Sequence, residues 1–247
     1  MIPALAFSSP VIAHRGARDV APENTLAALR KAHELGAGWV EVDVKITQDG
    51  VPILMHDDTL NRTTNGQGAV AEAPWGRVKT LDAGSWFDAS FANEPVPILD
   101  DVLRLALETG LRLNVELKPC PGRARATTMV ALIEMAKIWP ENVEPPLICS
   151  FDVESLSIAA QLQPPWPRGY IMPEWREDWY DTFKKVEAMA VSMDEKALTR
   201  ERVAAFVRAE VPLLAYSLAD PARAKELLSW GVAAVYADKP SAILAAL

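Results

Sequence analysis

The chain reads as an α/β fold, a (β/α)8 barrel of the TIM type with a small insertion after its second strand. Three observations predict it. Eight short runs rich in Val, Ile and Leu recur along the 247 residues, and helical patterns fill the intervals between them. Strands that alternate with helices argue for a parallel sheet, and about 250 residues is the length eight such units occupy. The Gly-rich first turn that advertises a doubly wound open sheet, the main alternative, is missing.

The first strand is "VIAHR" (11–15), followed by the helical pattern "ENTLAALRKAHELG" (23–36) and the second strand "WVEVDVKI" (39–46). The next clear helix, "ILDDVLRLALETG" (98–110), carries aspartates near its first turn and closes on a glycine, as helix ends prefer. Strands then follow at "RLNVELK" (112–118), "PLICSF" (146–151), "GYIM" (169–172) and "AMAVSM" (188–193). "RERVAAFVRAE" (200–210) leads to the strand "PLLAYSL" (212–218). "PARAKELLSWG" (221–231), with Pro in the first turn and Gly at the end, leads to the last strand, "AAVYAD" (233–238).

One interval is too long. Residues 51–97 separate the second strand from its helix, whereas βα loops take about two to six residues. The segment holds an extended piece ending at His56, the turn signal Asn65-Gly66, and three aromatic residues, Trp75, Trp86 and Phe87, that read as buried. The expectation is one barrel domain over residues 1–247. An insertion at about 58–97 would sit over the end that carries the active site.

Half of the residues are apolar, enough for one sizeable core, and the net charge is −8 with no block of Lys or Arg. That balance disfavours nucleic acid and anionic membrane surfaces as partners. Cys120 and Cys149 are too few for a disulfide scaffold and read as reduced thiols. "MIPALAFSSP" lacks the basic residues and the apolar length of a removable leader, and no 18-residue apolar run exists. The expectation is a cytoplasmic protein without a membrane span, with homo-oligomer formation left open.

Chemistry concentrates on the first strands. Residues i and i+2 of a strand share a face, so Glu41 and Asp43 point one way and Val40, Val42 and Val44 the other. Likewise Asn114, Glu116 and Lys118 oppose Val115 and Leu117. With the valine face on the outer helices, three carboxylates enter the barrel and repel each other unless a counter-charge is present. Arg15 and Lys118 could supply it as a structural ion-pair network. A divalent cation explains more, and oxygen-only donors favour Mg²⁺ or Ca²⁺ over zinc.

The chain has three histidines. His33 lies in a helical run and reads as a surface residue. His14 ends the first strand and His56 ends "PILMH", so both flank the proposed cation site and suit a general acid and a general base. Arg15 and Lys118 add a planar grip and a point charge for phosphate oxygens. Together these residues suit displacement at phosphorus.

"AHRG…PENT", "EVDVKITQDGVPILMHD", "LDAGSWF" and "NVELKP" resemble the glycerophosphodiester phosphodiesterases, especially the short cytoplasmic bacterial type. The resemblance runs from Val11 to about Pro240. It implies hydrolysis of a small-molecule glycerophosphodiester to sn-glycerol 3-phosphate and an alcohol. It also implies metal ligation by Glu41, Asp43 and Glu116, acid–base catalysis by His14 and His56, and substrate contacts from Arg15 and Lys118. Glu23 would hold Arg15 or the metal shell, and Tyr216 would border the substrate. The attacking group, water or the glycerol 2-hydroxyl, is left open.

In Tyr216-Ser217-Leu218-Ala219 the family's Asn is replaced by Ala219, which puts contacts near that strand in doubt. Asp238 reads as a cap for the last helix. A phosphodiesterase or phospholipase-type enzyme acting on another phosphodiester, and a catalytically silent binding barrel, are the alternatives. A sugar-phosphate isomerase or aldolase is disfavoured because the loops after strands seven and eight lack glycine.

Overall fold

The computed structural model describes residues 7–247. In chain order the strands are β1 (Val11–His14), β2 (Trp39–Ile46), β3 (Pro52–Leu54), β4 (Arg112–Leu117) and β5 (Leu147–Ser150), then β6 (Arg168–Met172), β7 (Ala190–Asp194), β8 (Leu213–Leu218) and β9 (Ala234–Ala237). All but β3 are parallel, and β1 pairs with both β2 and β9, which closes an eight-stranded barrel. The helices are α1 (Leu26–Glu34), α2 (Trp75–Val78), α3 (Leu99–Thr109), α4 (Ala124–Ile138), α5 (Val153–Leu162), α6 (Trp179–Lys185), α7 (Arg200–Arg208), α8 (Pro221–Trp230) and α9 (Pro240–Ala246). The expectation drawn from the first residues, that they form no removable leader, falls largely on residues 1–6, which lie outside the described residues.

Alternation along the strands sorts the barrel into an outside and an inside. Val40, Val42 and Val44 face outward and pack with Leu99, Val102 and Leu103 of α3 and Leu132 and Met135 of α4. A register slip of one residue would exchange the faces of β2. It would forfeit about 1.5–3 kcal/mol for each buried valine and press carboxylates against apolar helices. Inside, Ile12, Trp39, Leu147, Ala190, Leu214 and Ala234 form an apolar floor. Above them Asn114 Nδ2 donates to the Tyr236 hydroxyl (2.6 Å), which also meets the Ser192 hydroxyl at 2.9 Å. Polarity therefore rises toward the C-terminal ends of the strands, and the acids occupy the top.

The helix ends follow the sequence signals. Thr25 caps α1 by accepting from the Ala28 N–H, and α3 and α8 end at Gly110 and Gly231 in left-handed conformations. Cys120 and Cys149 are free, buried thiols. Among the described residues, no helix is long and apolar enough to cross a membrane.

β3 runs antiparallel along the upper part of β2, on the edge that β1 leaves free beyond Glu41. The segment between β3 and α3 builds a small core from Leu60, Val70, Val78 and Val96 around Ile53 of β3. The aromatic residues expected there to be buried divide. Trp75 is half-buried against that core, whereas Trp86 is 39% exposed and stacks edge-to-face on Phe87, which continues to Phe91. Apolar composition alone does not tell which rings a small core can cover. Trp175 and Trp179 of "MPEWREDWY" pack on Phe206 of α7 and belong to the outer core.

Candidate active site

At the end of β1 the backbone turns sharply. Arg15 (φ 57°) and Gly16 (φ 85°) are both left-handed. A Cβ on Gly16 would lie 2.6 Å from the Ala28 Cβ, so the turn packs on α1 only with glycine. The turn aims the Arg15 N–H at Glu41 Oε2 (3.0 Å) and sets its guanidinium against Asp43 (3.1 Å) and Glu23 (2.8 Å).

Register brings the acids together. His14 sits opposite Glu41, and Asp43 sits opposite Glu116. Glu41, Asp43 and Glu116 are buried, and one carboxylate oxygen from each lies within 4.8 Å of the others. Lys118 Nζ is 2.8 Å from Glu116 and 3.6 Å from Asp43. Asn24 clamps Asp43 from both sides, donating to its carboxylate (2.8 Å) and accepting from its N–H (3.1 Å).

Even so, Glu41 Oε1 and Asp43 Oδ1 are buried without a hydrogen-bond partner. Burial, together with the charges of Asp43 and Glu116, pushes the Glu41 carboxyl well above its ordinary range. Burial and the charge of Asp43 push Glu116 up to about 7. Burial opposes the charge of Asp43 as well, but Arg15 and Lys118 outweigh it and hold that carboxyl below the usual range. Three buried oxygen donors that destabilise one another, two with an unused oxygen, fit a hard divalent cation such as Mg²⁺ or Ca²⁺.

Each histidine has its own carboxylate. His14 Nδ1 lies 2.6 Å from Asp238 Oδ1, and His56 Nδ1 lies 2.7 Å from Asp57 Oδ1. A carboxylate at Nδ1 keeps the proton there and leaves Nε2 as the free ring nitrogen. Burial lowers the pKa of both rings, more than their carboxylates raise it. His56 is delivered by β3, since the Met55 N–H donates to the Asp43 carbonyl at 3.0 Å.

Asp238 does not cap the last helix. α9 begins after Lys239, with no side-chain cap bond. Asp238 instead accepts from Ser217 (2.8 Å) and Arg18 (3.0 Å) as well as meeting His14. Burial would raise its carboxyl, but the His14 hydrogen bond and these neighbours hold it down at about 2. Glu23 meets three guanidinium groups, from Arg15, Arg18 and Arg62. Burial again works upward, and the hydrogen bonds and charges of these arginines hold Glu23 at about 2.

Beside these groups lies a cavity of about 170 Å³, lined by His14, His56, Arg15, Glu41, Glu116 and Lys118 on the polar side. Phe151, Ile171, Tyr216 and Tyr236 line the other side. The Tyr216 hydroxyl donates to the Met172 carbonyl (3.0 Å), which turns its ring edge onto Phe151. Ala219 lies outside the cavity, in a wider neighbouring groove of about 530 Å³. Sequence reasoning named His14, His56, Glu41, Asp43, Glu116, Arg15, Lys118, Glu23 and Tyr216, and the fold brings all nine to this end of the barrel. It missed Asn24, Asp57, Arg18 and Arg62. The signals for Asn24 and Asp57 were adjacency, to Glu23 in "PENT" and to His56.

A model of the glycerophosphoryl diester phosphodiesterase family matches residues 14–242. A glycerophosphodiester phosphodiesterase of Bacillus subtilis is 31% identical over 245 residues, covering 93% of this chain and 83% of that protein. A second B. subtilis protein, the uncharacterised YqiK, is 30% identical over 233 residues, covering 93% of this chain and 95% of its own. Among solved structures, a phosphodiesterase of Oleispira antarctica, in complex with the product sn-glycerol-3-phosphate, superposes with a TM-score of 0.93 at 34% identity over 96% of both chains. A glycerophosphodiester phosphodiesterase of Agrobacterium tumefaciens gives a TM-score of 0.77 at 29% identity, over 96% of this chain and 99% of that one. With the match spanning nearly its whole length and the barrel shared, the chain belongs to the glycerophosphoryl diester phosphodiesterase family.

Proposed function

We propose that this chain hydrolyses glycerophosphodiesters to sn-glycerol 3-phosphate and an alcohol, with a divalent cation held by Glu41, Asp43 and Glu116. One observation carries the reading. Two histidines, each with a carboxylate on Nδ1, share a small cavity with a buried acidic cluster whose oxygens are only partly used. The chain acts as one catalytic domain, 1–247, and its insertion at about 58–97 shields the site next to His56.

When bound, the cation supplies Lewis acidity to a phosphoryl oxygen and neutralises the cluster. Arg15 and Lys118 orient the diester and spread the charge that grows on its oxygens. The Nε2 of one histidine accepts a proton from the attacking hydroxyl, of water or of the glycerol 2-position. The other donates a proton to the leaving alcohol oxygen as its bond to phosphorus breaks. Glu23 keeps Arg15 in place, and Tyr216 borders the organic part of the substrate.

The test is release of sn-glycerol 3-phosphate from glycerophosphocholine in a coupled dehydrogenase assay with Mg²⁺, with Ca²⁺ and with chelator. Metal-dependent release is expected. A folded protein that releases none from any glycerophosphodiester with either metal would overturn the reading. A cyclic phosphate trapped early in the reaction would identify the glycerol 2-hydroxyl as the attacking group.

A further inference from the structure

The two histidines are joined by an unbroken chain of charged side chains, none of which lines the cavity itself. From His14 it runs through Asp238 to Arg18 (3.0 Å), and from Arg18 to Glu23 (3.2 Å). Glu23 then takes two hydrogen bonds from Arg62, at 2.8 and 2.9 Å. Arg62 in turn donates Nε and Nη2 to the two oxygens of Asp57, at 2.8 and 2.9 Å, and Asp57 holds His56.

Two features separate this from an ordinary surface ion pair, which contributes little. The Glu23 side chain is only 3% exposed, so its charge needs partners where it sits. Arg62 uses all three guanidinium nitrogens at once, forked onto two carboxylates. A planar group bonded in this way fixes the orientation of one carboxylate relative to the other, which an ammonium cannot do. Asp57 is thereby tied to the barrel through Glu23, although it lies in the segment that follows β3.

We propose that Arg62 is a positioning residue for His56 and that Arg18 is its counterpart for His14, both anchored on the shared carboxylate of Glu23. The proposal rests on the acid–base reading of the two histidines. Without Arg62, Asp57 loses both hydrogen bonds that set its plane, and the His56 ring loses its fixed direction. Orienting partners of this kind are worth roughly 10–100-fold in activity.

Double-mutant cycles on the metal-saturated enzyme test it. Arg62→Ala should lower kcat about 10–100-fold with KM and metal affinity nearly unchanged. In a His56→Ala background it should cost nothing further, and in a His14→Ala background it should cost its full amount. Arg18→Ala should show the opposite pairing. Arg62→Lys, which keeps the charge and loses the fork, should restore thermal stability but not kcat. It carries the same cycles if Arg62→Ala does not fold. Equal cost of the arginine variants in both histidine backgrounds, or full kcat in Arg62→Lys, would overturn the positioning roles alone. Full turnover in His56→Ala would overturn the acid–base reading and this proposal with it.

Discussion

Asp238 Oδ1 lies 2.6 Å from His14 Nδ1, although the two residues are 224 positions apart in the chain. β9 beside β1 makes the pair, so the closure of the barrel also completes the histidine's environment. Asp238→Asn keeps the size of the side chain and lets an amide N–H face Nδ1, which favours the wrong tautomer. Turnover should fall at least about 10-fold while metal affinity stays constant. Initial rates and a metal titration on the same variant check both halves of this expectation.

Removal of either ring should cost more than removal of its partner. His14→Ala and His56→Ala are each expected to lower kcat by at least ~10²-fold, the usual scale for a positioned acid or base. Near-full rate in one variant would take that histidine out of the reaction.

A cation bound by the folded state alone raises its stability by mass action. Mg²⁺ or Ca²⁺ should therefore raise the melting temperature, since it relieves the repulsion among Glu41, Asp43 and Glu116. Glu41→Gln, which neutralises the residue with the unpartnered Oε1, should remove most of that rise. Equal thermal shifts in the two proteins would show that the acids serve the fold only.

Glu23 gives stability a definite pH dependence. Its folded pKa of about 2 lies below the ordinary 4.5, so its contribution is complete above about 4.5 and is lost as pH falls toward 2. Glu23→Gln should have a lower urea midpoint than wild type at pH 6, and the gap should narrow steadily toward pH 3. A constant gap across that range would show that Glu23 acts through packing instead.

The turn after β1 is also testable. Gly16→Ala places a Cβ 2.6 Å from that of Ala28 at a φ of 85°. The strain alone costs at least about 1 kcal/mol. Urea denaturation should show that loss, together with reduced turnover because Arg15 shifts. An unchanged midpoint would mean that α1 gives way.

The acidic cluster was legible because the period of two leaves one choice for Glu41, Asp43 and Glu116 once the valines face the helices. The barrel was legible for a different reason, since short apolar strands alternate with helical patterns over a length that eight such units occupy. Asp238 resembles a helix cap in sequence because its partner is set by strand order, which no local pattern contains. Arg62 lies in a segment without periodicity, where the path of the chain decides every contact. Trp86 shows the same limit, because a ring in an irregular segment can close over a small core or face water. The replacement at Ala219 was visible in sequence, and its place in the neighbouring groove was not.

The two histidines are mounted on unequal supports. His14 ends a strand paired on both sides, whereas His56 follows the three-residue β3, paired to β2 alone in the sheet and backed by the insertion's own small core. Warming should loosen the second mount first. The temperature optimum of the enzyme should then follow the insertion rather than the barrel. Filling out the packing around Leu60 and Val70 should carry that optimum upward while the global melting transition stays where it was.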